Sequence, residues 1–140
     1  MDGPYPVLEL VPPGRLRDRL VAAVLAGQKT ATTRLEVLDT LAGTPAEADG
    51  AVLRLLDSEG DTAAHVQVTA VHRLAPSAVD DDLATKDGSW FGGAAAWREA
   101  HLTYWRTFVD DARAASGDPA WTLDANTAVV VWCFQLWRMP

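Results

Sequence analysis

The chain has 140 residues, of which 49% are hydrophobic and 22% charged, which suits one soluble domain with one core and excludes a disordered protein. Its formal net charge of −7 argues against gripping long nucleic acid by the phosphates, since that takes clustered Lys and Arg. A small substrate, or one nucleotide held in a pocket, remains compatible with that charge.

Taken in order, the N-terminal residues show no basic region followed by an apolar block, so no signal peptide is expected. Pro12, Pro13 and Gly14 precede a helix expected over residues 15–26. Leu16, Leu20 and Val24 recur every four residues with Ala23 beside them, which predicts one apolar stripe, with Arg15, Arg17, Asp18 and Arg19 in solvent. Gly27 stops the helix, as glycine does just past a last turn. The next residues, through Arg34, complete the run Gly-Gln-Lys-Thr-Ala-Thr-Thr-Arg. An amine, hydroxyls and a guanidinium lie within reach of one another there. An amine beside a hydroxyl serves as base and nucleophile, and a guanidinium holds an anionic or carbonyl oxygen. In a regular strand Lys29 and Thr32 would point to opposite faces, so their cooperation requires a turn or irregular loop. Thr30, Thr32 and Thr33 also read as ordinary β-formers opening a strand.

Residues 38–50 read as a loop. Residues 51–57 and 63–74 read as two strands around the turn Asp57-Ser58-Glu59-Gly60-Asp61, forming a hairpin. In the second strand Val66, Val68 and Ala70 are expected on one side, and His65 and His72, at odd spacing, on opposite faces. Asp80, Asp81 and Asp82 suit a solvated helix start. Asp87, before Gly88, Ser89 and Trp90, reads either as a turn former or as a site carboxylate. Residues 94–108 read as a second helix with an aromatic face of Trp97, His101, Trp105 and Phe108. Residues 110–126 look loop-like. Residues 127–137 read as a strand apolar on both faces, hence central and covered on both sides. Its longest apolar run, residues 128–134, falls far short of a membrane span. Cys133 lies within that run and is the single cysteine, so a buried thiol, no internal disulfide and a cytoplasmic location are expected. The six tryptophans serve either as packing or as a stacking wall for a flat ligand. No Cys/His metal spacing and no phosphate-binding glycine loop occur, and no cofactor is expected.

The order helix, Gly27-x-Lys29-Thr30-x-Thr32, hairpin, Ala84-x-x-Asp87-Gly88, Trp97-Arg98-x-x-His101 and apolar last strand resembles the ASCH domain, a relative of the PUA RNA-binding fold. The resemblance runs from about Arg15 to Trp137 and makes residues 1–140 a single ASCH-like domain. It implies an α+β fold: a small PUA-like β-barrel with helices packed at its openings and a cleft lined by the lysine motif. Some members are amidohydrolases that remove the acetyl group of N4-acetylcytidine with a Thr, a Lys and a Glu, and others are linked to RNA binding or cleavage. The lysine falls on Lys29, the threonine on Thr32, and the glutamate on Asp87. Aspartate is one methylene shorter, and a misplacement of about 1 Å costs about two orders of magnitude in rate. A second departure is Trp132, where many relatives carry an acid.

On the amidohydrolase reading, Thr32 attacks the acyl carbon and Lys29 takes its proton. Asp87 then fits as an orienting group or proton carrier better than as a constant ion-pair partner of Lys29. Arg34 or loop N–H groups hold the oxyanion. Trp90 stacks on the base, with Ser89 and Arg98 as further substrate contacts. Lys29→Ala and Thr32→Ala are then expected to abolish deacetylation and spare the fold. The alternative is a nucleotide or RNA-binding module without turnover, with Lys29 and Arg34 on phosphate. A weak ribonuclease comes third, because no histidine pair is placed for acid–base work.

Overall fold

The computed structural model describes residues 5–39 and 50–138. Its centre is a five-stranded sheet in the order β1-β3-β4-β5-β2. The strands are β1 (Val7–Leu8), β2 (Ala31–Leu35), β3 (Val52–Leu56), β4 (Thr62–Leu74) and β5 (Val129–Trp137). β1 runs parallel to β3, and the other neighbours are antiparallel. β5 lies between β4 and β2, and its residues from Val129 to Phe134 are all buried, as an apolar run covered on both faces requires.

The sheet is open, which corrects the expectation of a closed barrel. β1 and β2 are its two edges, and no ladder joins them among the described residues. β1 has only two residues. Across this gap a side chain takes the place of a ladder: Arg34 Nη1 donates to the Glu9 carbonyl at 3.0 Å.

One face carries Leu53, Val66, Val68, Trp132 and Phe134 and packs against Val21 and Val24 of helix α1 (Arg15–Leu25). The other face, near β2, presents Ala31, Leu35, Val129, Val131 and Cys133. It is covered by α2 (Asp81–Asp87) and α3 (Ala94–Trp105), with Ala84, Trp97 and Trp105 buried against it. Asp80 caps α2 by accepting from the Leu83 N–H at 2.8 Å, as the acidic run suggested. No helix among the described residues is long and apolar enough to cross a membrane.

Three further expectations are revised and one is not reached. The loop expected over residues 38–50 falls mostly on 40–49, outside the described residues. Within the expected loop of residues 110–126, Val109–Ser116 form a short helix, α4, which ends on Gly117 in the left-handed conformation (φ 68°); only Ala112 is buried from it, so its periodic signal is thin. Arg17, expected in solvent, is 2% exposed. Its guanidinium donates to the Val11 and Asp57 carbonyls at 2.7 and 3.0 Å and meets Glu9 at 3.2 Å, which satisfies the buried charge. Finally, the β4–β5 register shifts between Val68 and Ala70. This bulge moves Ala70 to the face opposite Val68 and leaves His65 and His72 on the same face, because Trp137 and Val131, their partners on β5, share one.

Candidate functional site

Helix α1 ends at Ala26, where Gly27 takes φ 78°, a left-handed turn that favours glycine. The Gln28 and Lys29 N–H groups both point back to the Ala23 carbonyl, at 2.9 and 3.2 Å. Residues 28–30 are therefore irregular, and the strand begins at Ala31. The segment is half loop and half strand. The loop turns Lys29 inward, while the strand sends Thr32 and Thr33 to opposite faces.

Two backbone bonds then stitch this loop to the end of α2. Thr30 N–H donates to the Lys86 carbonyl at 2.7 Å, and Ser89 N–H donates to the Gln28 carbonyl at 3.2 Å. They flank Lys29 and Asp87 and bring the two together. Lys29 Nζ donates to Asp87 Oδ1 at 2.7 Å and to the Asp87 carbonyl at 2.8 Å. Both residues are 3% exposed. The shorter acid thus reaches the lysine, because the backbones approach closely. The finding also corrects the expected role of Asp87: it is a close ion-pair partner of Lys29.

The other oxygen of Asp87 is equally occupied. Oδ2 accepts from Thr33 Oγ1 at 2.7 Å and from Trp97 Nε1 at 3.1 Å, with His101 Nε2 at 3.4 Å. His101 Nδ1 lies 2.8 Å from the Trp97 carbonyl, one turn back on α3, and its ring stacks on Trp97 with centroids 4.3 Å apart. The aromatic stripe of α3 is therefore both core and clamp. Sequence reasoning had left Thr33, Trp97 and His101 out of the site. The Trp-Arg-x-x-His spacing was the available signal, since it sets Trp97 and His101 on one helix face.

Burial alone would raise the pKa of Asp87. The Lys29 charge, the His101 hydrogen bond and charge, and the Lys29 hydrogen bond outweigh it and hold the carboxyl well below the usual carboxylate range. Unfolded, an aspartate titrates near 3.9. Above that value both states are ionised and the full stabilisation is present. Below it the unfolded chain takes up a proton that the folded one refuses, so stability falls as the pH drops toward the folded value. Urea unfolding at steps from pH 5 to pH 2 is expected to show this loss in the wild type and a flatter profile in Asp87→Asn.

Lys29, Thr32, Thr33, Asp87 and His101 all line one cavity of about 240 Å³. It lies at the gap between the sheet edges, under the strap of Leu10 and Val11. Trp90 and Leu16, half exposed, belong to its wall, and Phe91 and Tyr104 add aromatic surface. A Cβ on Gly88 would come within 2.6 Å of the Trp90 ring, so the indole rests directly on backbone that only glycine leaves bare. The Thr32 hydroxyl makes no hydrogen bond to another described residue, although the residue is only 5% exposed.

Three expected contacts are not in this cavity. Arg34 lies 3.0 Å from Asp39 and faces a neighbouring cleft. Arg98 donates to the Pro76 carbonyl at 3.1 Å and ties α3 to the turn at Pro76–Ala78. Ser89 is exposed and contributes the backbone bond given above. The Trp132 indole on β5 donates to Asp39 Oδ2 at 3.0 Å.

Compared with known proteins, residues 10–136 match the model of the ASCH domain family. An ASCH domain from Lactobacillus crispatus JV V101 is 18% identical, with a TM-score of 0.71 over 94% of this chain and 80% of that one. A protein from Enterococcus faecalis V583 is also 18% identical, with a TM-score of 0.71 over 97% of this chain and 82% of that one. At this identity the likeness to both is one of fold. None of the curated proteins matches the chain.

Proposed function

The chain belongs to the ASCH domain family, and on that footing we propose that it is an amidohydrolase, removing an acyl group from the exocyclic nitrogen of a cytidine-type base. One observation carries this reading. A threonine hydroxyl with no hydrogen-bond partner among the described residues lines the same cavity as a buried lysine–aspartate pair. An apolar cavity with a few convergent polar groups is the usual form of a small-molecule site.

In this mechanism Asp87 stays ionised and does not carry protons. With Thr33, Trp97, His101 and Lys29 all directed at it, its task is to fix Lys29. An ammonium has three donors; two are spent on Asp87. The third acts on the substrate, first on the acyl oxygen, where charge develops as Thr32 attacks. The Thr32 oxygen forms a bond to the acyl carbon, and the carbon–nitrogen bond breaks. Lys29 passes one proton to the departing exocyclic nitrogen and receives the proton of Thr32, so it begins and ends the step as an ammonium. Water then cleaves the acyl-threonine; its proton returns to the Thr32 oxygen through Lys29, and its hydroxyl leaves on the carboxylic acid. This order keeps the charge beside Asp87 compensated throughout. Trp90, half exposed at the cavity wall, stacks on the base.

The closed Lys29–Asp87 pair favours a second reading, a binding module for one nucleoside, in which the ammonium is only an electrostatic contact. Incubation with a panel of N4-acylated cytidines separates the two. Hydrolysis predicts release of cytidine; the binding module predicts saturable binding with the amide intact. Arg34, engaged with Asp39, supports neither a phosphate contact nor an oxyanion role at this cavity.

A further inference from the structure

His101 lines the cavity beside Lys29, Thr32 and Asp87, and both of its ring nitrogens face acceptors. Nδ1 is 2.8 Å from the Trp97 carbonyl. A carbonyl oxygen only accepts, so Nδ1 carries a proton. Nε2 is 3.4 Å from Asp87 Oδ2. Against burial, the Lys29 charge first of all holds the Asp87 carboxyl well below the usual carboxylate range, so it is ionised and it too only accepts. A neutral ring protonated at Nδ1 would turn the lone pair of Nε2 against that oxygen. Only the doubly protonated ring gives each nitrogen a partner to which it can donate. The surroundings suit a cation. The ring stacks on the Trp97 indole with centroids 4.3 Å apart, and Trp105 and Phe91 lie at 5.1 and 5.4 Å; an aromatic face attracts a cation above it. The other titratable groups lining the cavity are Lys29, Asp87 and Tyr104. Burial pushes the Tyr104 phenol up, so it is neutral, and Lys29 meets the other carboxylate oxygen, Oδ1.

We propose that His101 is a positioning residue of this site, an imidazolium that shares the Asp87 carboxylate with Lys29. Its consequence for turnover rests on the hydrolase reading above. Two cations then flank one acid. A carboxylate whose charge is shared holds the ammonium proton less firmly, so Nζ passes it more readily to the departing exocyclic nitrogen. At 3.4 Å, against 2.7 Å for Lys29, His101 is the more distant cation, so it eases the lysine pair and does not replace it. His101 acts through Asp87 and not on the reacting atoms. It therefore tunes the proton transfer and leaves substrate binding to the cavity wall.

The test reads charge first and chemistry second. The chain has three histidines and two lysines, so with nitrogen-15 in the histidines and carbon-13 in the lysines, His101→Gln and Lys86→Arg assign the His101 ring and the Lys29 Cε. At neutral pH the wild-type His101 ring is expected to show two protonated nitrogens. As the pH rises, the Lys29 Cε signal is expected to shift in step with the loss of the His101 Nε2 proton, and to lack that step in His101→Gln. With N4-acetylcytidine, His101→Gln is expected to lower kcat about tenfold, less than the roughly hundredfold or more that a direct proton-transfer group contributes, with KM little changed. The wild type's fall in kcat as His101 loses its proton is expected to be absent from the variant. A ring with one bare nitrogen at neutral pH overturns the proposal whether or not substrate is turned over. So does a Lys29 signal that ignores the His101 titration, or a variant with the wild-type kcat and pH profile. If the wild type turns over no acylcytidine, the hydrolase reading falls and the spectra alone decide His101: coupled signals uphold it as the group that shares Asp87 with Lys29, and uncoupled signals overturn it.

Discussion

Lys29→Met lowers the free energy of unfolding by about 3–5 kcal/mol, the usual cost of removing one partner from a buried ion pair. The magnitude follows from what remains. Asp87 is 3% exposed, and without the ammonium it is a carboxylate held by two neutral donors and a histidine. The remaining Thr33 and Trp97 hydrogen bonds are too few to replace water around a charge. The expectation that truncating Lys29 removes activity and spares the fold is therefore revised: activity and stability fall together. Urea denaturation at neutral pH measures the loss. Lys29→Met combined with Asp87→Leu is expected to be less destabilised than the sum of the two single changes, because the second change removes the orphaned charge.

Thr32→Val has the opposite profile. Its hydroxyl has no hydrogen-bond partner among the described residues, and valine has nearly the same shape. The stability change is expected to stay within about 1 kcal/mol. Activity is expected to fall on the order of a thousandfold or more, since the nucleophile is gone while the electrostatic environment persists. Binding of the acylated base is expected to survive. The contrast separates the two residues: Lys29 belongs to the fold and to the site, Thr32 to the site alone. Cytidine release and urea unfolding, run side by side on both variants, check it.

What the sequence made legible was whatever depends on local pattern. The first helix, the hairpin, the capped start of α2 and the central strand all follow from periodicity, turn residues and caps within a few positions. The Gly27–Arg34 run pointed to Lys29 and Thr32 because their types and spacing are local. What pattern could not reach was set by long-range geometry. Thr33 was passed over because its partner, Asp87, lies 54 positions away, and it turns that way only because the strand begins at Ala31 and alternates from there. Trp97 read as core and His101 as its edge, and Trp97 is buried while His101 is partly exposed. That the same face also delivers an indole N–H and a ring nitrogen to Asp87 depends on how α3 crosses the end of α2. Arg17 looked solvent-facing because no pattern announces that two carbonyls and a carboxylate wait for it. The bulge in β4 shifts the alternation by one residue, which no run of β-formers reveals.

The most direct measurement of the central claim is the mass of the protein quenched within milliseconds of mixing with an N4-acylcytidine. Catalysis by Thr32 predicts a fraction of the chain heavier by one acyl group, located on the peptide containing Thr32 and missing from Thr32→Val. Wild-type protein that releases cytidine yet never carries an acyl group, or carries it on another residue, would contradict that assignment.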